Sequence, residues 1–295
     1  MKVLAFMLTL AMILSISGAW AAEKKVKLEN KLSVGDRLIS ESTEENFTWA
    51  NFKRVGGPLF EQTGSIETTA VIDVKSVDEN GVIDIEVASE TSGSTKYSDQ
   101  ANTTFIPATK QPVRTLRVKK NGEIISSNIR QYKLLHPRNP FLDIDDWLIY
   151  VARQQSPFLT RFSDRKVGIG DVWTTEAFVK NPNGVDMKIT TRSRLFAFGE
   201  VDDYECAWIQ SEAKLPFRFE ISGNFDGYSS ITVDGMFLWE GRVYFAHEEG
   251  RIIKERNSWG FTVTIEIPLQ EETAINFFTT RVSSITTTSL SQKAQ

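Results

Sequence analysis

Phe261-Thr-Val-Thr-Ile-Glu-Ile267 sets four apolar side chains on one side of an extended chain, and two threonines and a glutamate on the other. A period of two is the signature of a half-buried antiparallel strand, apolar inward and polar outward. Phe217-Arg-Phe-Glu-Ile221 follows the same rule, as does the middle of Val82-Ile-Asp-Ile-Glu-Val87. Turn signals separate such runs: Glu79-Asn-Gly81, Lys120-Asn-Gly122, Asn181-Pro-Asn-Gly184 and Glu249-Gly250. Asn-Gly supplies the positive φ angles that tight hairpins need. The chain therefore reads as mainly β, with antiparallel units forming a sandwich or half-barrel.

One stretch departs from this pattern. Ile144, Trp147, Leu148 and Val151 fall at the spacing of one helical face. Asp143 can cap the start, Asp145 and Asp146 suit the positive end of the dipole, and Arg153 suits the other end. Pro157 lies just beyond. The spacing predicts one intervening α-helix over 144–155.

Around that helix the sequence repeats itself. Leu32-Ser-Val-Gly-Asp-Arg-Leu38 parallels Val167-Gly-Ile-Gly-Asp-Val-Trp173, and Val77-Asp-Glu-Asn-Gly-Val82 parallels Val201-Asp-Asp-Tyr-Glu-Cys206. Lys120-Asn-Gly-Glu-Ile-Ile125 parallels Glu248-Glu-Gly-Arg-Ile-Ile253. The matches keep their order and nearly constant spacing, as a duplicated unit would. The expected organisation is a signal peptide over 1–21, a first β unit over 22–132, a helical connector over 133–162 and a second β unit over 163–268. The last segment, 269–295, is rich in serine and threonine. It reads as an edge strand through Val282 and Ile285 that then frays, leaving the segment partly disordered.

The N-terminus carries an export pattern. Lys2 is followed by an apolar run from Val3 to Ile16, a break at Ser17-Gly18, and small residues at Ala19 and Ala21. Such a three-part segment is cleaved as a signal peptide, here after Ala21. The run is shorter than the ~20 residues of a spanning helix, and no second one follows, so no transmembrane segment is expected after cleavage. The protein is then exported to the periplasm or the extracellular space. The openings Val34-Gly-Asp36 and Ile169-Gly-Asp171, each followed by an apolar core residue, and the Asp78-Glu-Asn-Gly81 hairpin resemble those of uncharacterised exported bacterial proteins built from two β-rich halves. The resemblance implies export and a β architecture and brings no catalytic residues with it.

Composition narrows the chemistry. The 295 residues carry 34 basic and 38 acidic side chains for a net charge of −4, a poor balance for binding nucleic acid. The single Cys206 can form no intramolecular disulfide and reads as a buried structural thiol. Two histidines cannot build a histidine-rich metal site. His136 sits in a loop-like stretch and His247 at a strand end, and no Gly-x-Ser-x-Gly elbow exists for a serine hydrolase. Asp143/Asp145/Asp146, Asp202/Asp203 and Glu248/Glu249 are the acidic clusters from which a glycosidase pair would be drawn, and turn or helix-start chemistry accounts for each. No metal site and no cofactor are indicated. What remains is aromatic: Trp208, Trp239, Tyr244 and Phe245 lie within one half, as candidates to line a concave sheet holding a lipid or glycan ligand. The leading expectation is a non-catalytic binding or envelope-associated protein. The alternatives are a carboxylate-dependent hydrolase of an envelope polymer and a purely structural protein.

Overall fold

The computed structural model describes residues 24–51, 59–97, 102–128, 161–181, 183–225, 228–268 and 273–292. Their regular structure is entirely strand. The strands are β1 (Arg37–Asn51), β2 (Leu59–Val77), β3 (Ile83–Tyr97), β4 (Thr104–Lys110), β5 (Arg114–Val118) and β6 (Ile124–Ser127). The second half adds β7 (Val172–Lys180), β8 (Asp186–Val201), β9 (Tyr204–Phe225), β10 (Tyr228–Ala246), β11 (Arg251–Pro268) and β12 (Thr273–Gln292). The stretch expected to be helical, 144–155, lies outside the described residues.

All twelve strands join one sheet in the order β6-β5-β3-β2-β1-β12-β11-β10-β9-β8-β7, with β4 added beside β3. Every pairing is antiparallel. The two β units are thus successive meanders, β1 to β6 and β7 to β11, fused into a continuous sheet. The fusing element is β12, hydrogen-bonded to β1 on one side and β11 on the other. The strand expected through Val282 and Ile285 is thus interior and not at an edge. Thr273–Gln292 is a central strand because threonine and β-branched residues favour extended backbone and because both its edges find partners. Among the described residues β6 and β7 do not pair with each other, so no barrel closes.

The two Gly-Asp turns are built alike. Gly35 has φ +89° and Gly170 φ +93°, a region that L-residues avoid. Gly35 N–H donates to Val74 O at 3.0 Å and Gly170 N–H to Leu195 O at 2.8 Å. The following aspartates return the bond, as Val74 N–H donates to Asp36 O and Leu195 N–H to Asp171 O, each at 3.0 Å. Asp36 Oδ2 accepts from Ser33 N–H at 2.8 Å and Asp171 Oδ2 from Gly168 N–H at 3.0 Å. Each turn pins the entry of a first strand, β1 or β7, to its neighbour.

Alternation along the strands loads one face of the sheet with apolar side chains. Leu215, Phe217, Phe219, Val233, Phe237, Phe261 and Val263 pack there in the far part of β9–β11. Near the Gly-Asp turns, Leu195, Ala207, Ile209, Val243 and Phe245 form a second cluster on that face. It is covered by Leu28, Phe162 and Val167 from outside the strands, with Phe162 and Phe245 ring centroids 4.4 Å apart. A third cluster, with Leu38, Ile72, Val74, Ile83, Ile85 and Leu116, serves the first meander. The segment before β1 is tied to the second meander, through a Val26–Val167 bridge and Lys31 N–H donating to Gly250 O at 2.9 Å.

Candidate functional site

Directly opposed residues on neighbouring strands share a face. One row of such partners crosses the sheet from β3 to β7: Gly93, Ile66 and Glu44, then, beyond the backbone of β12, Asn257, Gly241, Ser211, Ser193 and Trp173. It runs between the two apolar clusters of the second meander, on their face, and it is mostly polar. The adjacent row holds Thr91, Thr68 and Ser42 and, beyond the backbone of β12, Glu255. Between them the rows interrupt the apolar face with a band of hydroxyl, amide and carboxyl groups.

The band is buried where it meets β11. Glu255 is fully enclosed at 0% exposure, and Asn257 is 9% exposed. Asn257 Nδ2 donates to Glu255 Oε1. Glu255 Oε2 and Asn257 Oδ1 have no hydrogen-bond partner among the described residues. Burial pushes the Glu255 carboxyl up to about 8, against the lowering effect of the Asn257 hydrogen bond. Burial thus favours the uncharged, protonated form of this side chain, with Oε1 accepting from Asn257.

Gly241, opposite Asn257, makes this arrangement sterically feasible. A Cβ there would meet Trp239 Cζ2 at 2.5 Å and Asn257 Oδ1 at 2.6 Å, so the indole and the amide lie over bare backbone. Trp239 and Trp259 are register partners, and the Trp259 ring lies 6.3 Å from Phe237 and 6.1 Å from Phe261. Across the row Ser193 and Ser211 hydroxyls hydrogen-bond each other at 2.8 Å. A register shift between Tyr244 and Phe245 sends Ile252 to the apolar cluster on this face and Ile253 to the opposite face. Toward β1–β3 the band becomes half-exposed, with Gln62 Nε2 donating to Thr95 Oγ1 at 2.8 Å and Thr68 and Thr91 hydroxyls 3.3 Å apart.

The structure separates the four aromatics singled out from sequence. Trp239 borders the band. Phe245 lies in the near cluster against Phe162. Trp208 and Tyr244 pack edge-to-face at 5.4 Å on the opposite face, together with Cys206 and Ile253. Glu255 and Asn257 went unnoticed in sequence, although a signal was present. They continue, backward through Trp259, the same odd-numbered stripe that Phe261, Val263 and Ile265 occupy, and a carboxylate on an apolar stripe is the anomaly.

Among the described residues two of the acidic clusters sit at hairpin turns. Asp202 and Asp203 are exposed at the β8–β9 hairpin, with φ of 48° and 67°. Glu248 and Glu249 are exposed at the β10–β11 turn. Asp143, Asp145, Asp146 and His136 lie outside the described residues. His247 is buried beneath that second turn, where burial, and then Lys24, hold its imidazole below the usual range against Glu205, Glu248 and Glu249. Its Nε2 is 3.7 Å from Glu205 Oε2. Cys206 is fully buried, its thiol pushed up to about 11 chiefly by burial and further by Glu249 and Asp202, which leaves it a poor nucleophile. On the outer face an open recess of about 530 Å³ is lined by Pro216, Arg218, Asp234, Met236, Thr262 and Thr264.

No protein-family model matches this chain, and no curated protein does. Among solved structures, an outer-membrane channel of Pseudomonas putida F1 aligns over 88% of this chain and 98% of its own, at 10% identity and a TM-score of 0.24. OccK7 (OpdD) of Pseudomonas aeruginosa aligns over 88% and 99%, at 6% identity and a TM-score of 0.24. OmpF of Salmonella typhi aligns over 86% and 98%, at 6% identity and a TM-score of 0.22. Scores of this size fall short of a common fold.

Proposed function

We propose that this is an exported, non-catalytic binding protein of the cell envelope, which receives its ligand on the polar band of the sheet. The carrying observation is the Glu255–Asn257 pair, whose two buried oxygens lack partners among the described residues. A buried polar atom left unsatisfied costs about 1–3 kcal/mol, so a fold that keeps two of them side by side has a use for them. The export pattern at residues 1–21 supports the compartment. The outer face of β8 and β9 carries exposed Lys188, Arg192, Glu212, Lys214, Arg218 and Glu220. That pattern suits water on this side, because a strand spanning a bilayer turns apolar residues to the lipid. The equal construction of the two Gly-Asp turns supports reading the meanders as copies of one unit.

Native mass spectrometry of residues 22–295, purified from the exported fraction, tests the proposal. The expected result is a mass excess that disappears on denaturation and is lost in Asn257→Leu. Turnover of an envelope polymer that is abolished by replacing a single carboxylate would replace the binding reading with the hydrolytic one.

A further inference from the structure

We infer that β7 is an interaction edge for a second copy of this chain, which pairs antiparallel to it about a two-fold axis at Phe178. The surface involved is the outer one, and its pairing does not depend on what the polar band holds.

Backbone direction comes first. β7 ends the strand order and, among the described residues, has a partner strand on one side alone. Leu195 N–H donates to Asp171 O, so the β7–β8 ladder engages Asp171 and, by alternation, Trp173, Thr175, Ala177 and Val179. The amides and carbonyls of Thr174, Glu176, Phe178 and Lys180 therefore turn to the other side. Arg161 agrees with this, its Nη1 donating to Glu176 O at 3.1 Å. Trp173 Nε1 donates to Arg161 O at 3.2 Å, so Arg161 lies along the first half of the edge. The second half carries the exposed Ala177 and Phe178.

The side chains of this edge match a copy of themselves. Trp173 and Val179 turn to the apolar clusters, so the even-numbered residues face outward, with Phe178 66% exposed. When Phe178 opposes its own copy, Glu176 opposes the second copy's Lys180, and symmetry repeats that pair on the far side of the axis. An aromatic pair flanked by two opposite-charge pairs is favourable across neighbouring strands. Lys188 Nζ holds Glu176 Oε1 at 2.7 Å, and Oε2 serves the incoming ammonium. Lys180 Nζ, bound to Asp186 Oδ1 at 3.0 Å, has three protons to share. A register centred one residue earlier would oppose Glu176 to Phe178 and leave the charges unmatched.

The opposite margin of the sheet is blunted. β6 has four residues, and β4 contains Pro107 and meets a register shift between Thr91 and Gly93. β7 runs nine residues with neither proline nor bulge. Two-fold pairing consumes the edge, so association stops at the dimer, and an interface of one strand on each side is a weak, reversible one.

Sedimentation velocity of residues 22–295 from about 1 to 200 µM, a range suited to weak pairing, is the test. A reversible monomer–dimer equilibrium is expected. Phe178→Lys and Glu176→Lys each set like charges against one another and should weaken the dimer about tenfold, with circular dichroism unchanged. Adding Lys180→Glu to Glu176→Lys should restore it to within about threefold of the parent. Phe178→Cys should cross-link two copies under copper–phenanthroline, since opposed Cα atoms lie about 5.5 Å apart. Glu176→Cys should not, because its copies stand about 13 Å apart along the strands. The native Cys206, at 0% exposure, takes no part. Should Phe178→Lys fail to fold, the cross-linking decides. A monomer at every concentration overturns the assignment, as does a dimer undiminished in folded Phe178→Lys, or equal cross-linking from Glu176→Cys and Phe178→Cys. Cross-linking of Phe178→Cys to a different polypeptide overturns the second copy as the occupant of this edge.

Discussion

Glu255 sits on the inward stripe of β11 that the apolar Phe261, Val263 and Ile265 also occupy, and its ionisation is coupled to folding. In the unfolded chain its carboxyl loses its proton near the ordinary 4.5, and in the folded chain it does so at about 8. Below 4.5 both states hold the proton and the group contributes nothing to the pH dependence. Between 4.5 and 8 only the folded state holds it, so stability falls as pH rises, by about 1.4 kcal/mol per unit. Above 8 both states are ionised and the full loss persists. Glu255→Gln should remove this slope, leaving the variant similar to the parent near pH 4.5 and clearly more stable at pH 8. Urea denaturation midpoints at four pH values check it, and parallel profiles for the two proteins would refute it. His247, whose pKa is lowered on folding, titrates in both proteins and cancels from the comparison.

At the level of single elements, alternation and turn chemistry carry most of what the sequence discloses. Phe261, Val263 and Ile265 in β11 and Phe217, Phe219 and Ile221 in β9 turn inward as expected. The Gly-Asp openings were legible because a positive φ leaves few residue choices. Gly170 makes the point testable: a Cβ there would meet nothing within 4 Å, yet φ is +93°. Gly170→Ala should therefore destabilise by about 1–2 kcal/mol through backbone strain alone, measured by thermal or chemical denaturation. A neutral result would show that the turn relaxes. β12 was legible only as an edge strand through Val282 and Ile285, because a run rich in Thr and Ser without sustained apolar alternation reads as solvated. Glu255 and Asn257 were missed for the same reason in reverse, since a search for charged clusters overlooks a lone carboxyl on an apolar stripe. Trp208 and Trp239 look equivalent as neighbours in one half, and only the parity of their positions sends them to opposite faces.

For the whole molecule, the order of strands means that neither meander is complete alone. Leu28, which precedes β1, fills the core of the second meander, and β12 joins both. Deleting residues 273–295 should expose an edge on β1 and another on β11 and cost the protein its single cooperative transition. Calorimetry would then show a broadened or split endotherm and size exclusion would show association, as expected of long unprotected edges. A truncated chain with one sharp transition and a monomeric elution would contradict the role assigned to β12.

For a chain exported as proposed above, the pairing of β1 with β12 also bears on the order of events during translocation. A chain threaded N-terminus first delivers its opening strand to the far side of the membrane with most of the sequence still to follow. That strand can pair at once with β2, yet its other edge waits for the twenty residues of β12. Until they arrive, an extended row of amides and carbonyls is open to any passing strand, so safe delivery favours either rapid translocation or a holding factor that shields β1.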